Sequence, residues 1–266
     1  MLGAGNLGCS LIEELMRRKI PVKLFSITIN NWKYPQSLDP ILKLNPDHIW
    51  VCLGSIHNDH LQTWDTNIRL TLELLQKTRP QTILHFFSTV MVVDKELSRI
   101  KRHMEEIIFE SKRPNTNVYR ISHVYGKYKP YKSLPYLIHK NRIRVAKETN
   151  NMICPTPADW LAKEIIYKTL DKIKFDSDPS NTRAYIAIPS DTISFESFKN
   201  FLIEGTAEVK SEKNNQFNHY STLNYNAPSW LDLWQERKIE WEKYAKNSTP
   251  QMSDGTGSVP TKLLDT

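Results

Sequence analysis

The chain has 266 residues, of which 39% are hydrophobic and 24% are charged. This is the composition of an ordinary globular protein, and no segment approaches the roughly 18 consecutive apolar residues that a membrane-spanning helix needs. The net charge of +7 favours anionic ligands in general. The lysines and arginines are spread along the chain, so we do not predict a nucleic-acid-binding surface.

The amino terminus lacks the basic segment and apolar run of a secretion signal, because a glycine-rich turn begins at the third residue. The cysteines Cys9, Cys52 and Cys154 are widely scattered, and their spacing matches neither a disulfide framework nor a metal site. We therefore expect a cytoplasmic protein with reduced thiols, no membrane association and no bound metal.

Helical and strand-like patterns alternate along the first 205 residues. Apolar residues spaced for one helix face predict helices at 7–18, 63–77, 95–110, 158–172 and 194–204. Short apolar runs predict strands at 22–29, 48–53, 82–87, 117–121 and 184–188. Strands separated by helices of this length pair in parallel, so the sequence predicts an α/β fold with a doubly wound parallel sheet.

The composition changes after residue 205. We predict one domain at 1–205, a linker with a C-terminal helix at 206–247, and a disordered tail at 248–266. In that helix Trp230, Trp234 and Trp241 share a face. This face either packs against the main domain or forms a surface for a protein partner.

A glycine-rich motif precedes the first predicted helix. The run Gly3-Ala4-Gly5-Asn6-Leu7-Gly8 matches G-x-G-x-x-G, and its helix is followed by a predicted strand. Such glycines permit a tight turn, a close approach of the backbone to a pyrophosphate, and close packing of helix and strand. The helix N-terminus adds unpaired N–H groups that attract an anion. The motif predicts a Rossmann-type dinucleotide site, with a purely structural turn as the alternative.

Two departures from this motif affect the cofactor prediction. Only Met1 and Leu2 precede Gly3, so we expect a shortened first strand, as a truncated start would produce. The acidic residue that holds the adenosine ribose is absent at the end of the second strand, where Lys33 follows instead. A lysine there favours the 2′-phosphate of NADP over NAD, unless Lys33 is only a solvated loop residue.

The order of these and further motifs resembles the extended short-chain dehydrogenase/reductase superfamily, and within it the NAD-dependent epimerase/dehydratase group. The resemblance covers about residues 1–205. Besides the glycine turn, it depends on Asn67 in Thr66-Asn67-Ile68-Arg69, Phe87-Ser88-Thr89, Lys101 with Glu105, Arg120 with Val124-Tyr125-Gly126, and Thr156 with Asp159.

The resemblance implies roles for three residue types in hydride transfer. In that group a tyrosine carries the substrate proton, a lysine lowers its pKa and holds the nicotinamide ribose, and a serine or threonine orients the substrate. Thr89 takes the hydroxyl position and Lys101 the lysine position, while Asn67 and Lys101 would contact the cofactor. The tyrosine position is occupied by Leu97, which cannot exchange a proton.

Each of these residues also has a simpler interpretation. Lys101 fits a solvated helix lysine, Thr89 a strand-end hydroxyl, and Asn67 a helix cap. His85 and His103 are alternative proton carriers, unless they only pack or face solvent.

The sequence thus supports two functions. The first is an NAD(P)-dependent enzyme similar to nucleotide-sugar epimerases, dehydratases or reductases, in which another residue replaces the tyrosine. The second is a catalytically silent dinucleotide-binding protein that regulates or scaffolds protein partners, which Leu97 favours. The resemblance also implies a homodimer formed through the helices at 63–77 and 95–110.

Overall fold

The computed structural model describes residues 1–34, 37–53, 60–90, 95–128, 134–139, 152–172, 182–204, 212–213 and 227–247. The predicted disordered tail at 248–266 lies outside the described residues, as does most of the predicted linker. The domain boundaries therefore stay predictions.

The strands are β1 His48–Val51, β2 Ile83–Thr89, β3 Thr116–Ile121, β4 Val124–Tyr125, β5 Met152–Ile153, β6 Thr156–Pro157, β7 Arg183–Ile186, β8 Asp191–Ser194 and β9 Glu212–Lys213. The core of the fold is a parallel sheet in the strand order β1-β2-β3-β7. Among the described residues, smaller sheets have the orders β4-β6 and β5-β8-β9.

The amino terminus extends the main sheet beyond β1. Leu2 forms parallel bridges to Phe25 on one side and to Val51 on the other. The amide of Leu2 donates to the carbonyl of Trp50 at 2.8 Å, and the amide of Gly3 donates to that of Phe25 at 2.9 Å. The chain therefore enters the sheet centrally and then adds strands in both directions, which creates a topological switch point beside Gly3.

Helices cover both faces of the sheet. They are α1 Asn6–Arg17, α2 Ile27–Asn30, α3 Asp39–Leu42, α4 His60–Trp64, α5 Leu70–Lys77, α6 Lys95–Glu110, α7 Leu134–His139, α8 Ala158–Ile166, α9 Phe195–Glu204 and α10 Trp230–Asn247. The buried stripe of α1 packs with α8 against one face, which includes Phe87. Helices α5 and α6 pack against the other face, which includes Phe86. The α/β fold with a doubly wound sheet is thereby confirmed.

Two predicted helices contain π-helical segments. The helix expected at 63–77 consists of α4, a π-helix at Asp65–Arg69, and α5. The helix expected at 158–172 ends in a π-helix at Tyr167–Lys172. A π-segment inserts an extra residue into the helical ladder, and such insertions occur frequently at functional sites.

The predicted strand at 22–29 is mostly wrong. The sheet bridge is limited to Phe25, and α2 begins at Ile27. The side chain of Asn30 explains the change, because its oxygen accepts from the amide of Ser26 at 2.9 Å and its nitrogen donates to the carbonyl of Leu24 at 3.1 Å. These local bonds offer the backbone an alternative to the sheet ladder.

The C-terminal helix α10 is confirmed, and it packs on the rest of the fold. Trp230 and Trp234 are buried together with Tyr125 and Phe198 in one cluster. The amide of Trp230 also donates to the carboxylate of Asp191 at 2.7 Å. For these two tryptophans the interpretation as core residues is correct. The side chain of Trp241 lies outside the part of the molecule that the structure describes.

A cavity of about 770 Å³ lies at the amino ends of the strands, opposite the glycine turn, with Met1, His48 and Trp50 among its walls. No helix within the described ranges is both long and apolar enough to cross a bilayer.

Candidate functional site

The three glycines of the motif differ in what the fold requires of them. Gly3 has φ +100°, and a Cβ there would lie 3.0 Å from the backbone of Cys52. A Cβ on Gly8 would collide with the carbonyl oxygen of Gly3. Gly5 has φ −81°, and its Cβ position has no heavy atom within 4 Å. Gly3 and Gly8 are thus needed for packing, whereas Gly5 borders open space.

Helix α1 begins at this open space without a capping side chain. Gly5 is its N-cap and makes no side-chain cap bond, and the first turn contains no acidic residue. The amide of Cys9 makes the first helical bond, to the carbonyl of Gly5 at 3.0 Å. The amides of Leu7 and Gly8 precede that bond, so they belong to the N-terminal groups that a helix cannot satisfy internally. Together with the helix dipole they favour an anion.

The predicted cofactor residues Asn6 and Leu7 occupy different environments. The Asn6 side-chain oxygen lies 3.4 Å from the Cβ position of Gly126, so the Val124-Tyr125-Gly126 segment borders the glycine turn. The side chain of Leu7 is buried in the core. Any contribution of Leu7 to ligand binding is therefore limited to its backbone.

Lys33 is exposed in the loop after α2. This loop follows Phe25, which pairs with Leu2 immediately before the glycine turn. Helix α2 separates Lys33 from the strand position of Phe25, so Lys33 does not directly follow the second strand. The role of Lys33 as a phosphate ligand stays a prediction.

Thr89 and the hydrogen-bond partner of Lys101 both belong to the last three residues of β2. Thr89 is the last residue of this strand and lies in register with Ile121 of β3. The Lys101 Nζ, from α6, donates to the carbonyl oxygen of Phe87 at 2.9 Å. Strand β1 separates β2 from the strand position of Leu2. Lys101 is not a fully solvated surface residue.

The surroundings of Lys101 disfavour its charged form. Burial lowers the pKa of the Lys101 ammonium to about 8, and the nearby carboxylate of Glu105 acts in the opposite direction. Glu105 itself is held by Arg120, with contacts of 2.6 Å and 3.1 Å between guanidinium and carboxylate. Glu105 and Arg120 form a partly buried ion pair, in which the arginine side chain is 22% exposed.

This shift predicts a pH dependence of stability. Between about pH 8 and the ordinary lysine value of 10.5, Lys101 has released its proton in the folded chain but keeps it in the unfolded chain. The unfolded state then binds more protons, so the contribution of Lys101 to stability rises with pH across this window. The difference in unfolding free energy between wild type and Lys101→Met should change in this window and be constant below it.

The comparison with Lys101→Met is needed because other groups make stability fall, not rise, with increasing pH. Burial raises the pKa values of Tyr119 and Tyr125, so they lower stability at alkaline pH in both chains. Urea unfolding of both chains from pH 7 to pH 10.5 measures the difference. A difference that does not vary with pH would show that Lys101 titrates normally.

Asn67 is buried inside the π-helix at Asp65–Arg69. Its side-chain nitrogen donates to the carbonyl of Thr63 at 2.8 Å, while its side-chain oxygen is buried and has no partner among the described residues. The interpretation as a helix cap is wrong, because Asn67 lies in the helix interior. A buried side-chain oxygen without a hydrogen-bond partner, inside a π-helix, is instead typical of a functional position.

Neither alternative proton carrier shares the surroundings of Lys101. The ring of His85 stacks on Trp50 at 3.7 Å, on the face covered by α1 and α8, and bonds to the ring of His48 at 3.0 Å. His103 is exposed on α6 and faces the Glu106 carboxylate at 3.3 Å. The packing and surface interpretations therefore hold for these two histidines.

His123 is a candidate site residue that the sequence does not predict. This residue follows β3, and its carbonyl accepts from the amide of Thr156 at 2.9 Å. Its Nδ1 is buried without a partner in the described part of the chain, and burial lowers the pKa of the ring. The nearby Tyr125 hydroxyl is likewise buried and unpartnered. Both residues lie between Arg120 and Gly126, so the resemblance of this segment to the family motif is the sequence feature that could have identified them.

The C-terminal helix α10 contacts the first turn of α8. Arg237 of α10 contacts the carboxylate of Asp159 at 2.9 Å and 3.0 Å. Asp159 lies in the first turn of α8, directly after Thr156 and the strand β6. The Thr156-and-Asp159 motif therefore anchors α10.

Comparisons with known proteins agree on the fold. No protein-family model matches this sequence, and a search of curated proteins also finds no match. Among solved structures, dTDP-4-dehydrorhamnose reductase from Bacillus anthracis in complex with NADP has a TM-score of 0.65 at 18% identity. That match covers 90% of this chain and 97% of the reductase.

Two UDP-glucose 4-epimerases are also similar. The Thermus thermophilus enzyme in complex with NAD has a TM-score of 0.56 at 13% identity, over 97% of this chain and 96% of its own. The Thermotoga maritima enzyme with UDP-glucose has a TM-score of 0.63 at 15% identity, over 93% and 98%. The chain therefore has the fold that these reductases and epimerases share.

Proposed function

We propose that this protein binds NAD or NADP at the glycine turn and acts on a nucleotide sugar. The observation that carries the proposal is Gly5. Nothing in the fold requires glycine there, because its φ is ordinary and its Cβ position is open. A glycine at an open helix N-terminus without a cap is explained by a ligand whose pyrophosphate approaches the backbone closely.

The site residues take their roles from this placement. Gly3 and Gly8 shape the turn, and the α1 N-terminus attracts the pyrophosphate. Lys101 would hold the nicotinamide ribose, and Thr89 would orient the substrate at the carboxyl end of β2. The bound nicotinamide would supply hydride chemistry that no amino acid side chain provides.

Lys33 supports NADP over NAD. It is an exposed cation in the loop after α2, and no acidic residue lies between Phe25 and Lys33. A ribose-binding acid in this segment would favour NAD. The similar reductase was solved with NADP and one similar epimerase with NAD, so the neighbours allow either cofactor. A nucleotide-sugar substrate is supported by the epimerase solved with UDP-glucose.

A thermal-shift titration with NAD, NADH, NADP and NADPH tests the proposal. Ligand at about 100 times its dissociation constant stabilises the folded state by roughly 2.7 kcal/mol, so the melting temperature should rise with at least one dinucleotide, and more with the NADP pair. Gly5→Ala should keep the melting temperature of the free protein and lose most of the shift, because its methyl group would occupy the ligand's space.

Three outcomes would contradict this proposal. The absence of any shift with wild-type protein that is folded would exclude dinucleotide binding. An equal shift with Gly5→Ala would place the ligand elsewhere. A free-protein melting temperature that falls strongly in Gly5→Ala would show instead that this glycine is structural.

The second candidate is a catalytically silent dinucleotide-binding protein. Leu97 favours it, because the resemblance places the proton-carrying tyrosine at that position and leucine has no exchangeable proton. Stabilisation by NADPH without oxidation of NADPH on addition of dTDP-4-dehydrorhamnose or UDP-4-ketoglucose would support the silent form. Oxidation of NADPH by either sugar nucleotide would support the enzyme.

A further inference from the structure

The cavity at the amino ends of the strands continues a gap between two extended segments. On one side the Met1 amino group donates to the carbonyl of Lys23, and the amide of Phe25 donates to the carbonyl of Met1, both at 2.9 Å. On the other side Leu2 pairs with β1 through the carbonyl of Trp50 at 2.8 Å. Neighbouring strands lie about 4.8 Å apart, so these two walls are separated by roughly 9.6 Å, the width of one strand between two neighbours.

Both walls present backbone N–H groups to the cavity. In an extended chain the N–H and C=O of one residue point to the same side. The carbonyl of Trp50 accepts from Leu2 and that of Lys23 accepts from Met1, so the N–H groups of Trp50 and Lys23 point into the same gap. Neither N–H has a hydrogen-bond partner in the described part of the chain. Because backbone N–H groups inside a fold are nearly always paired, the gap favours a ligand with acceptors for both walls.

The side chains around the cavity are mostly apolar, with a positively charged border. The apolar ones include Leu15, Ile20, Ile41 and Ile49. Lys19 and Lys23 are exposed at its border, and Asp47 is the acidic residue among those that line it. An apolar ligand that carries a negative charge complements this lining.

We propose that the cavity binds an extended apolar peptide that ends in a carboxylate and inserts as a strand between the two walls, parallel to both. The carboxyl end of the peptide then points toward Met1, beside Lys23. Main-chain hydrogen bonds provide affinity when a peptide adds to a sheet, and pockets for side chains provide specificity. The site lies at the opposite end of the sheet from the glycine turn, so it does not depend on dinucleotide binding.

The separation of the walls favours a peptide over a small apolar anion. A single carboxylate cannot reach N–H groups on both walls across roughly 9.6 Å. Successive residues of a strand turn their carbonyl groups to alternate sides, so a peptide pairs with Trp50 on one side and Lys23 on the other.

Isothermal titration calorimetry with the peptide acetyl-Lys-Val-Thr-Val-Ile, whose α-carboxylate is free, tests the proposal. Lys23→Pro removes the N–H of this position and keeps the carbonyl that Met1 uses. Lys23→Ala is the matched control, because it loses the same exposed charge and keeps the N–H. We expect Lys23→Pro to bind the peptide roughly tenfold more weakly than Lys23→Ala, since one hydrogen bond of the inserted strand is lost.

Three further ligands are titrated into wild-type protein, so that this comparison does not depend on the folding of a variant. The same peptide methylated on its backbone nitrogens keeps its side chains but cannot pair as a strand, and the peptide carboxamide lacks the negative charge. Decanoate has an apolar chain and a carboxylate without a peptide backbone. Each should bind more weakly than the parent peptide. Equal binding of any of them, no binding of the parent peptide, or equal affinities of Lys23→Pro and Lys23→Ala would overturn the proposal.

Discussion

Replacement of Gly8 by alanine is expected to lower the unfolding free energy by about 3 kcal/mol, at the upper end of the usual cost of overpacking. The added Cβ would meet the carbonyl oxygen of Gly3, which is backbone and cannot rotate away as a flexible side chain would. Relief requires α1 to move off the strand position of Leu2, where the sheet pairs on both sides. Urea unfolding followed by circular dichroism measures the loss.

Gly5→Ala is the matched control for this prediction. It makes the same chemical change three residues earlier in the same turn, at an open position with φ −81°. The gain from a less flexible unfolded chain and the loss of a favourable N-cap residue nearly cancel, so its stability should stay within about 1 kcal/mol of wild type. Similar stabilities of Gly5→Ala and Gly8→Ala would show that helix and turn are not closely packed.

Much of the fold could be predicted because the periodic patterns are strong. The stripe of Leu7, Leu11 and Leu15 predicts α1, and all three residues are buried against the sheet. The strands β2 and β3 are apolar runs covered on both faces, so each was predicted within about two residues of its observed bounds. Pattern and burial agree here because the same hydrophobic contacts determine both.

The errors occur where local hydrogen bonds compete with the pattern. Residues 22–29 have the composition of a strand, but the side chain of Asn30 binds the backbone of Leu24 and Ser26 and turns the chain into α2. The π-helix around Asn67 has no signal in hydrophobic spacing either, because one inserted residue leaves the buried face nearly unchanged.

The site was predicted where its signal is a short motif and missed where it depends on contacts between elements. The glycine spacing identified the turn, and the resemblance identified Lys101 and Thr89. The bond from Lys101 to the Phe87 carbonyl and the unpartnered Nδ1 of His123 could not be predicted. Both result from the register of β2 and β3 and from how α6 packs, which no local spacing encodes.

Removal of Arg120 from its ion pair with Glu105 should have the second large effect on stability. Arg120→Leu removes the guanidinium and leaves the Glu105 carboxylate buried without its partner. Breaking one side of a fully buried pair costs about 3–5 kcal/mol, and the partial exposure of Arg120 puts this pair at the lower end of that range. Replacing both sides with apolar residues of similar size is often nearly neutral. We therefore expect a large loss of unfolding free energy in Arg120→Leu and a much smaller loss in the double variant Glu105→Leu/Arg120→Leu.

A double-mutant cycle in urea measures this coupling. Single variants that each cost less than about 1 kcal/mol would mean that solvent screens the pair, as it does for exposed ion pairs.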